Sequence, residues 1–260
     1  MLKIVLVEPA GALNVGSVAR IMKNMGLEQL VLVNPHCHPL GEEARRMAVH
    51  GVEVLEKAQI VPSLPEALQG CQRAIATTAR SRTLPTQLES PRVALPWLLG
   101  ENITSALIFG PEDRGLSNAE LNYAQRFVSI PANPEYPTLN LAQAVTVCTY
   151  ELYQASQQQV EATEKLNWAN LSQSSVDSAS LDALEGYYRH LEKVLLTIGY
   201  LYPHTAAARM EKFRSLFNRA NLSREEVAML RGILRQMDWV VQFLPPSEPQ
   251  KVNKREPEEE

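Results

Sequence analysis

IFGPEDRGLSNAEL at residues 108–121 and IPANPEYPTLNLAQAV at 130–145 decide how this chain is read. Each continues a short apolar run, SALIF (105–109) or RFVSI (126–130), of the kind that ends a strand. Each then turns through Gly, Pro or Asn and enters a helical pattern. In an open α/β sheet, ligands bind where loops leave the carboxyl ends of strands. Irregular backbone there offers N–H and C=O groups that regular structure has already used. Two such loops, so close in sequence, predict one shared pocket.

The same alternation runs outward from these loops. Strands are expected at 2–8, 30–34, 59–61, 73–79, 105–109 and 126–130. Between them fall helices at 14–25, with Asn14 as N-cap and Gly26 past the end, at 42–49, and after Ser63 as cap. A long helix at 140–155 closes this region. Strands alternating with helices predict an α/β fold with a parallel sheet covered on both faces, over residues 1–155. The polar stretch 156–179 reads as a linker. Residues 180–244 read as a helical extension with segments 180–200, 204–220 and 223–243, the last opened by a Ser223/Glu226 capping box. The tail 245–260, almost without apolar residues, reads as disordered.

Composition narrows the class. An apolar content of 45% against 21% charged residues is that of a soluble globular protein. Three cysteines, odd in number and with no CxxC pair, argue against a disulfide framework or a zinc ribbon. The opening MLKIVLVEPAG lacks a signal-peptide pattern, and no run reaches the ~20 apolar residues of a membrane span. A cytoplasmic protein without membrane contact is expected. The net charge of −4 does not advertise a nucleic-acid partner. Its distribution is more informative: residues 181–245 carry 9 basic and 7 acidic side chains, a local +2 in an acidic chain.

Several motifs compete with blander readings. GALNVGS (11–17) has the spacing of a phosphate-binding loop, but Ser17 stands where the lysine belongs. No GxGxxG occurs, which disfavours a nicotinamide or flavin enzyme. His36, Cys37 and His38 are adjacent in a Pro-flanked loop and cannot readily converge on one ion, so no metal is expected. Arg20 is either a solvated arginine or one flanking a buried stripe. Arg80 and Arg82 follow a strand and could be solvated, clamp a phosphate or meet a carboxylate. Glu112 and Asp113 are a carboxylate pair or an acidic loop tip.

Together the segments NVGSVARIMKNMG (14–26), TTARSRTLP (77–85), FGPEDRGLSNAEL (109–121) and IPANPEYPTLNLAQAV (130–145) resemble the SPOUT superfamily of RNA methyltransferases. The likeness is strongest to its TrmH/TrmJ group of tRNA ribose 2′-O-methyltransferases. GYYRHLEKVLLTIGY (186–200) and LRGILRQMDW (230–239) resemble the C-terminal extension of the TrmJ branch, so the resemblance covers about residues 1–243.

That resemblance implies a deep trefoil knot in the C-terminal half of the sheet domain, a topology rare elsewhere. It implies S-adenosyl-L-methionine as methyl donor, held by Thr77, Thr78, Ala79, Gly110, Ile130, Pro137, Thr138 and Leu139. It places the catalytic positions on Asn14, Arg20, Glu112 and Asn140, with Arg20, Arg80 and Arg82 facing RNA. Thr138 stands where the family usually has serine, keeping the hydroxyl on a stiffer side chain. Arg20 is expected to orient the ribose hydroxyl and an adjacent phosphate, since arginine is a poor free base. The implied substrate is tRNA, methylated at nucleotide 32 of the anticodon loop, with ribosomal RNA or a non-catalytic RNA-binding role as alternatives. The implied assembly is a homodimer through the knot domain, with 141–153 either its interface or an intrachain core helix.

Overall fold

Residues 1–79, 88–100, 102–166 and 178–243 are described by the computed structural model, with side chains of 159–166 excepted. The strands are β1 (Leu2–Val7), β2 (Gln29–Val33), β3 (Gln59–Val61), β4 (Arg73–Thr77), β5 (Ser105–Phe109) and β6 (Arg126–Val128). The helices are α1 (Ala12–Asn24), α2 (Glu42–Ala48), α3 (Val52–Glu56), α4 (Leu64–Ala67), α5 (Pro91–Ala94), α6 (Asn118–Leu121), α7 (Leu141–Leu166), α8 (Leu181–Thr197), α9 (Ala206–Ala220) and α10 (Arg224–Val241). Short 3-10 turns occupy Val49–Gly51 and Leu95–Leu98.

The inner strand runs β1, β2 and β5 are mostly apolar because both of their faces are covered, whereas the edge strand β3 is largely exposed. All strand pairs are parallel, in the order β3–β2–β1–β5–β4–β6. One face of the sheet sends Ile4, Leu6, Leu32, Ile75, Leu107 and Phe109 into a core with α1, α2, α3, α5 and α7. The alternate residues Val5, Val7, Val33, Ala76 and Ile108 pack on the other face against Leu64, Leu68, Leu116 and Leu121. Helices α1 and α2 meet closely at Gly16, where a Cβ would stand 2.2 Å from the Ala44 carbonyl oxygen.

Two helix limits differ from the expectation. Helix α1 starts at Ala12 with Gly11 as N-cap, so Asn14 lies inside its first turn. The Asn14 side chain is taken up by a tertiary contact described below. Helix α7 runs on to Leu166, into the stretch read as a linker. QQQVEATEKL carries polar but strongly helix-forming residues and no Gly or Pro, so polarity there did not mean loop. Ser63 precedes α4, but its hydroxyl donates to Glu66 Oε1 (2.7 Å) instead of accepting from the helix backbone.

Helices α8–α10 build a separate core from Leu184, Tyr187, Tyr188, Leu191, Val194, Leu201 and Leu234. The expected Ser223/Glu226 capping box opens α10. This helical layer docks beside the residues that lead into β4 and β6. Leu181 N donates to Cys71 O (2.7 Å), Gly70 N to Asp182 Oδ1 (3.1 Å), and Asn218 Nδ2 to Ala124 O (3.3 Å). Arg214, paired in bidentate fashion with Glu185, lies over the Tyr123 and Tyr188 rings. The extension therefore sits at the amino ends of these strands.

Candidate functional site

At the opposite, carboxyl end of the sheet, β4, β5 and β6 release three loops around one cavity. Thr77, Thr78 and Ala79 line it after β4, and Gly110 after β5. Ile130, Pro137, Thr138 and Leu139 line it from the loop between β6 and α7. All eight positions singled out for donor binding thus share one wall system. Its floor is apolar, with Phe109, Leu116, Val128 and Leu141. The backbone groups of Ile130 and Leu139 have no hydrogen-bond partner among the described residues. Apolar walls with free backbone donors and acceptors suit a flat heteroaromatic ring with polar edges.

The wall after β5 is braced by charge. Arg114 Nη2 donates to Glu8 Oε2 (2.7 Å) in the loop after β1, and Arg114 Nη1 to Glu120 Oε2 (2.8 Å). Glu120 also accepts from the Ser117 backbone N–H (2.5 Å) and closes a capping box on α6. Burial pushes the Glu120 carboxyl up, but the hydrogen bonds from Arg114 and Ser117 outweigh it and hold its pKa at about 2. The same two carboxylates raise the Arg114 guanidinium above its ordinary value. Glu8 itself holds φ at 47°, a left-handed conformation that costs a non-glycine residue energy. Gly110 begins this wall, and a Cβ there would stand 2.4 Å from Leu116 N and 2.6 Å from Gly115 C.

A second network forms the rim. Asn14 Nδ2 donates to Glu112 Oε1 (2.7 Å), and Asn140 Nδ2 donates to Asn14 Oδ1 (3.1 Å). Ala10 N adds a donor to Glu112 Oε2 (3.3 Å). Three of the four expected catalytic positions are therefore hydrogen-bonded in a chain, across α1, the β5 loop and the start of α7. Asp113 is not paired with Glu112; its Oδ1 accepts from the Arg114 N–H (2.7 Å). Arg20 is exposed and makes no polar contact among the described residues. Six residues along a helix place it ~9 Å beyond Asn14 and on a different side of α1. Arg80 and Arg82 lie outside the described residues.

The model of the SpoU rRNA methylase family matches residues 1–150, and that of the tRNA methyltransferase TrmJ C-terminal domain matches 182–251. The chain belongs to the SpoU methylase family. It is 40% identical over 247 residues to the tRNA (cytidine/uridine/adenosine-2′-O-)-methyltransferase TrmJ of Pseudomonas aeruginosa, covering 94% of this chain and 96% of that protein. It is 41% identical over 235 residues to the tRNA (cytidine/uridine-2′-O-)-methyltransferase TrmJ of Pectobacterium atrosepticum, covering 90% and 95%. Among solved structures, that of TrmJ from Z. mobilis ZM4 superposes with a TM-score of 0.79 at 29% identity, over 92% of this chain and 99% of that one.

Sequence reasoning about this SpoU methylase missed Glu8, Arg114 and Glu120. The S-x-x-E spacing of Ser117 and Glu120 was the available signal, because it marks a helix start that would fix the loop before it. Burial pushes all three thiols up, Cys148 to about 12; Cys71 and Cys148 are buried and Cys37 partly so. Among the described residues no helix is long and apolar enough to cross a membrane.

Proposed function

We propose that this chain transfers a methyl group from S-adenosyl-L-methionine to a ribose 2′-OH of tRNA, at nucleotide 32 of the anticodon loop. The observation that carries this is the convergence of 77–79, 110, 130 and 137–139 on one cavity beside the Asn14–Glu112–Asn140 chain. The match to a tRNA methyltransferase C-terminal domain favours tRNA over ribosomal RNA. When bound, the donor supplies a methyl group already activated on a sulfonium. Ile130 and Leu139 would hold it through their backbone groups, and the apolar floor would exclude water. Asn14 and Asn140 fix the rim against which the ribose is aligned; such alignment is worth roughly 7–11 kcal/mol. In the transfer the 2′ oxygen would take the methyl group as the methyl–sulfur bond breaks to leave a neutral thioether, and its proton would pass to a neighbouring phosphate, with Arg20 orienting both the hydroxyl and that phosphate.

Arg20 faces away from Asn14 on its own helix, so we assign it to the cavity of a second copy in a homodimer formed through the knotted domain. The knot itself, and the division into a catalytic domain over residues 1–155 and a helical extension over 180–244, belong to this proposal. Arg20→Ala should lower turnover about 10²–10³-fold with donor affinity unchanged. Mixing that variant with one disabled at Gly110 should restore activity, because a mixed dimer holds one intact composite site. No restoration would mean that each chain serves its own cavity.

A further inference from the structure

The turn between α8 and α9 exposes two aromatic rings that the protein's own core takes up only in part: Tyr200 meets Phe213, centroids 6.4 Å apart, and still stands half exposed. Leu201 is buried at 2%, while its neighbours Tyr200 and Tyr202 stand 52% and 51% exposed. The alternation is enforced. Gly199 takes φ of 75°, Leu201 N donates back to Leu195 O (3.0 Å), and Leu201 enters the helical core. Tyr202 O then accepts from Thr205 N and Ala206 N, both at 2.9 Å, which closes the turn. The rings are thus held outward on fixed backbone.

An imidazole and one fixed cation, Arg209, stand beside them. The Tyr202 ring stacks on His204, centroids 6.0 Å apart and 25° from coplanar. The Arg209 guanidinium lies 5.7 Å over the Tyr200 ring, and its Nη1 donates to Tyr200 O (3.3 Å). Residues 194–210 contain no acidic side chain; just outside them the exposed Lys193 and Lys212 each stand next to a glutamate, Glu192 and Glu211. Preset aromatic faces beside fixed positive charge are what unpaired bases and their phosphates require. An apolar protein partner would not need the arginine or the imidazole.

We propose that Tyr200, Tyr202, His204 and Arg209 form a stacking platform for unpaired nucleotides of the RNA substrate. The platform rests on the RNA methyltransferase reading above and specifies how the helical extension holds that RNA. It lies on the layer docked at the amino ends of β4 and β6, so it grips RNA away from its own chain's cavity.

The test uses the full chain, with fluorescence anisotropy on tRNA and on single-stranded oligouridylate. Tyr200→Ala and Tyr202→Ala should each weaken binding roughly 5- to 100-fold, the loss of one stacked base. Tyr→Phe should retain affinity, because the ring and not the hydroxyl is used. Tyr→Leu should not, although it preserves apolar bulk. Donor affinity, read by calorimetry, should stay unchanged in every variant, which also reports that each one folds. Alanine variants that bind both RNAs as the parent does would overturn the platform. So would rescue by leucine accompanied by a change in oligomeric mass, which would make this surface a protein contact. If the parent methylates tRNA while the variants bind normally, only the platform fails. If the parent methylates no tRNA, the functional reading itself fails.

Discussion

One added methyl group at position 110 runs into the Gly115–Leu116 peptide, 2.4 Å from its nitrogen and 2.6 Å from its carbon, and a backbone peptide cannot rotate away. Gly110→Ala must therefore displace the wall that runs to Leu116. We expect donor affinity to fall tenfold or more by calorimetry, with some loss of thermal stability as well, because the displaced wall ends at Leu116, which is buried against the sheet. Unchanged affinity would separate this wall from donor binding. Glu120 gives a second prediction at this scale. Its pKa of about 2 lies below the ordinary 4.5, so it stabilises the folded state fully above pH 4.5. That contribution is lost as pH falls from 4.5 toward 2. Allowing for solvent screening at Arg114, whose side chain is 40% exposed, it is on the order of 1–2 kcal/mol. Melting curves of Glu120→Gln should show a shallower decline than the parent across that window; parallel declines would refute the linkage.

Among the elements, what the sequence made legible depended on where each residue's partner lay. The strand runs and the Ser223 cap were readable because apolar pattern and capping are local. Ser223→Ala should cost about 1 kcal/mol through the lost cap, seen as a lower melting temperature of the helical layer. Asn14 was misread as a cap because its real partner, Glu112, is 98 residues away. The bracing of Glu8 by Arg114 was hidden for the same reason, at a separation of 106 residues. Helix α5 and the turn after it, too short to show a period, went unread; Pro91 and Pro96 each occupy a first-turn position where proline is tolerated. The eight cavity positions came from a resemblance; local pattern alone indicated only that two loops shared a pocket.

In the whole molecule, cavity and helical extension lie at opposite ends of the same strands. That separation matters for a substrate as large as tRNA, which can touch both at once, and it fits an assembly in which two chains share each substrate. In the proposed homodimer Arg20, exposed and without a polar partner among the described residues, would belong to the same arrangement. Methyl transfer to tRNA is tested most directly by incubating the purified chain with unmodified tRNA and methyl-labelled S-adenosyl-L-methionine, then mapping the product by mass. One methyl group on the ribose of nucleotide 32, dependent on Arg20, is the expected result. Label on a base, on a different nucleotide, or no label with donor bound would contradict it.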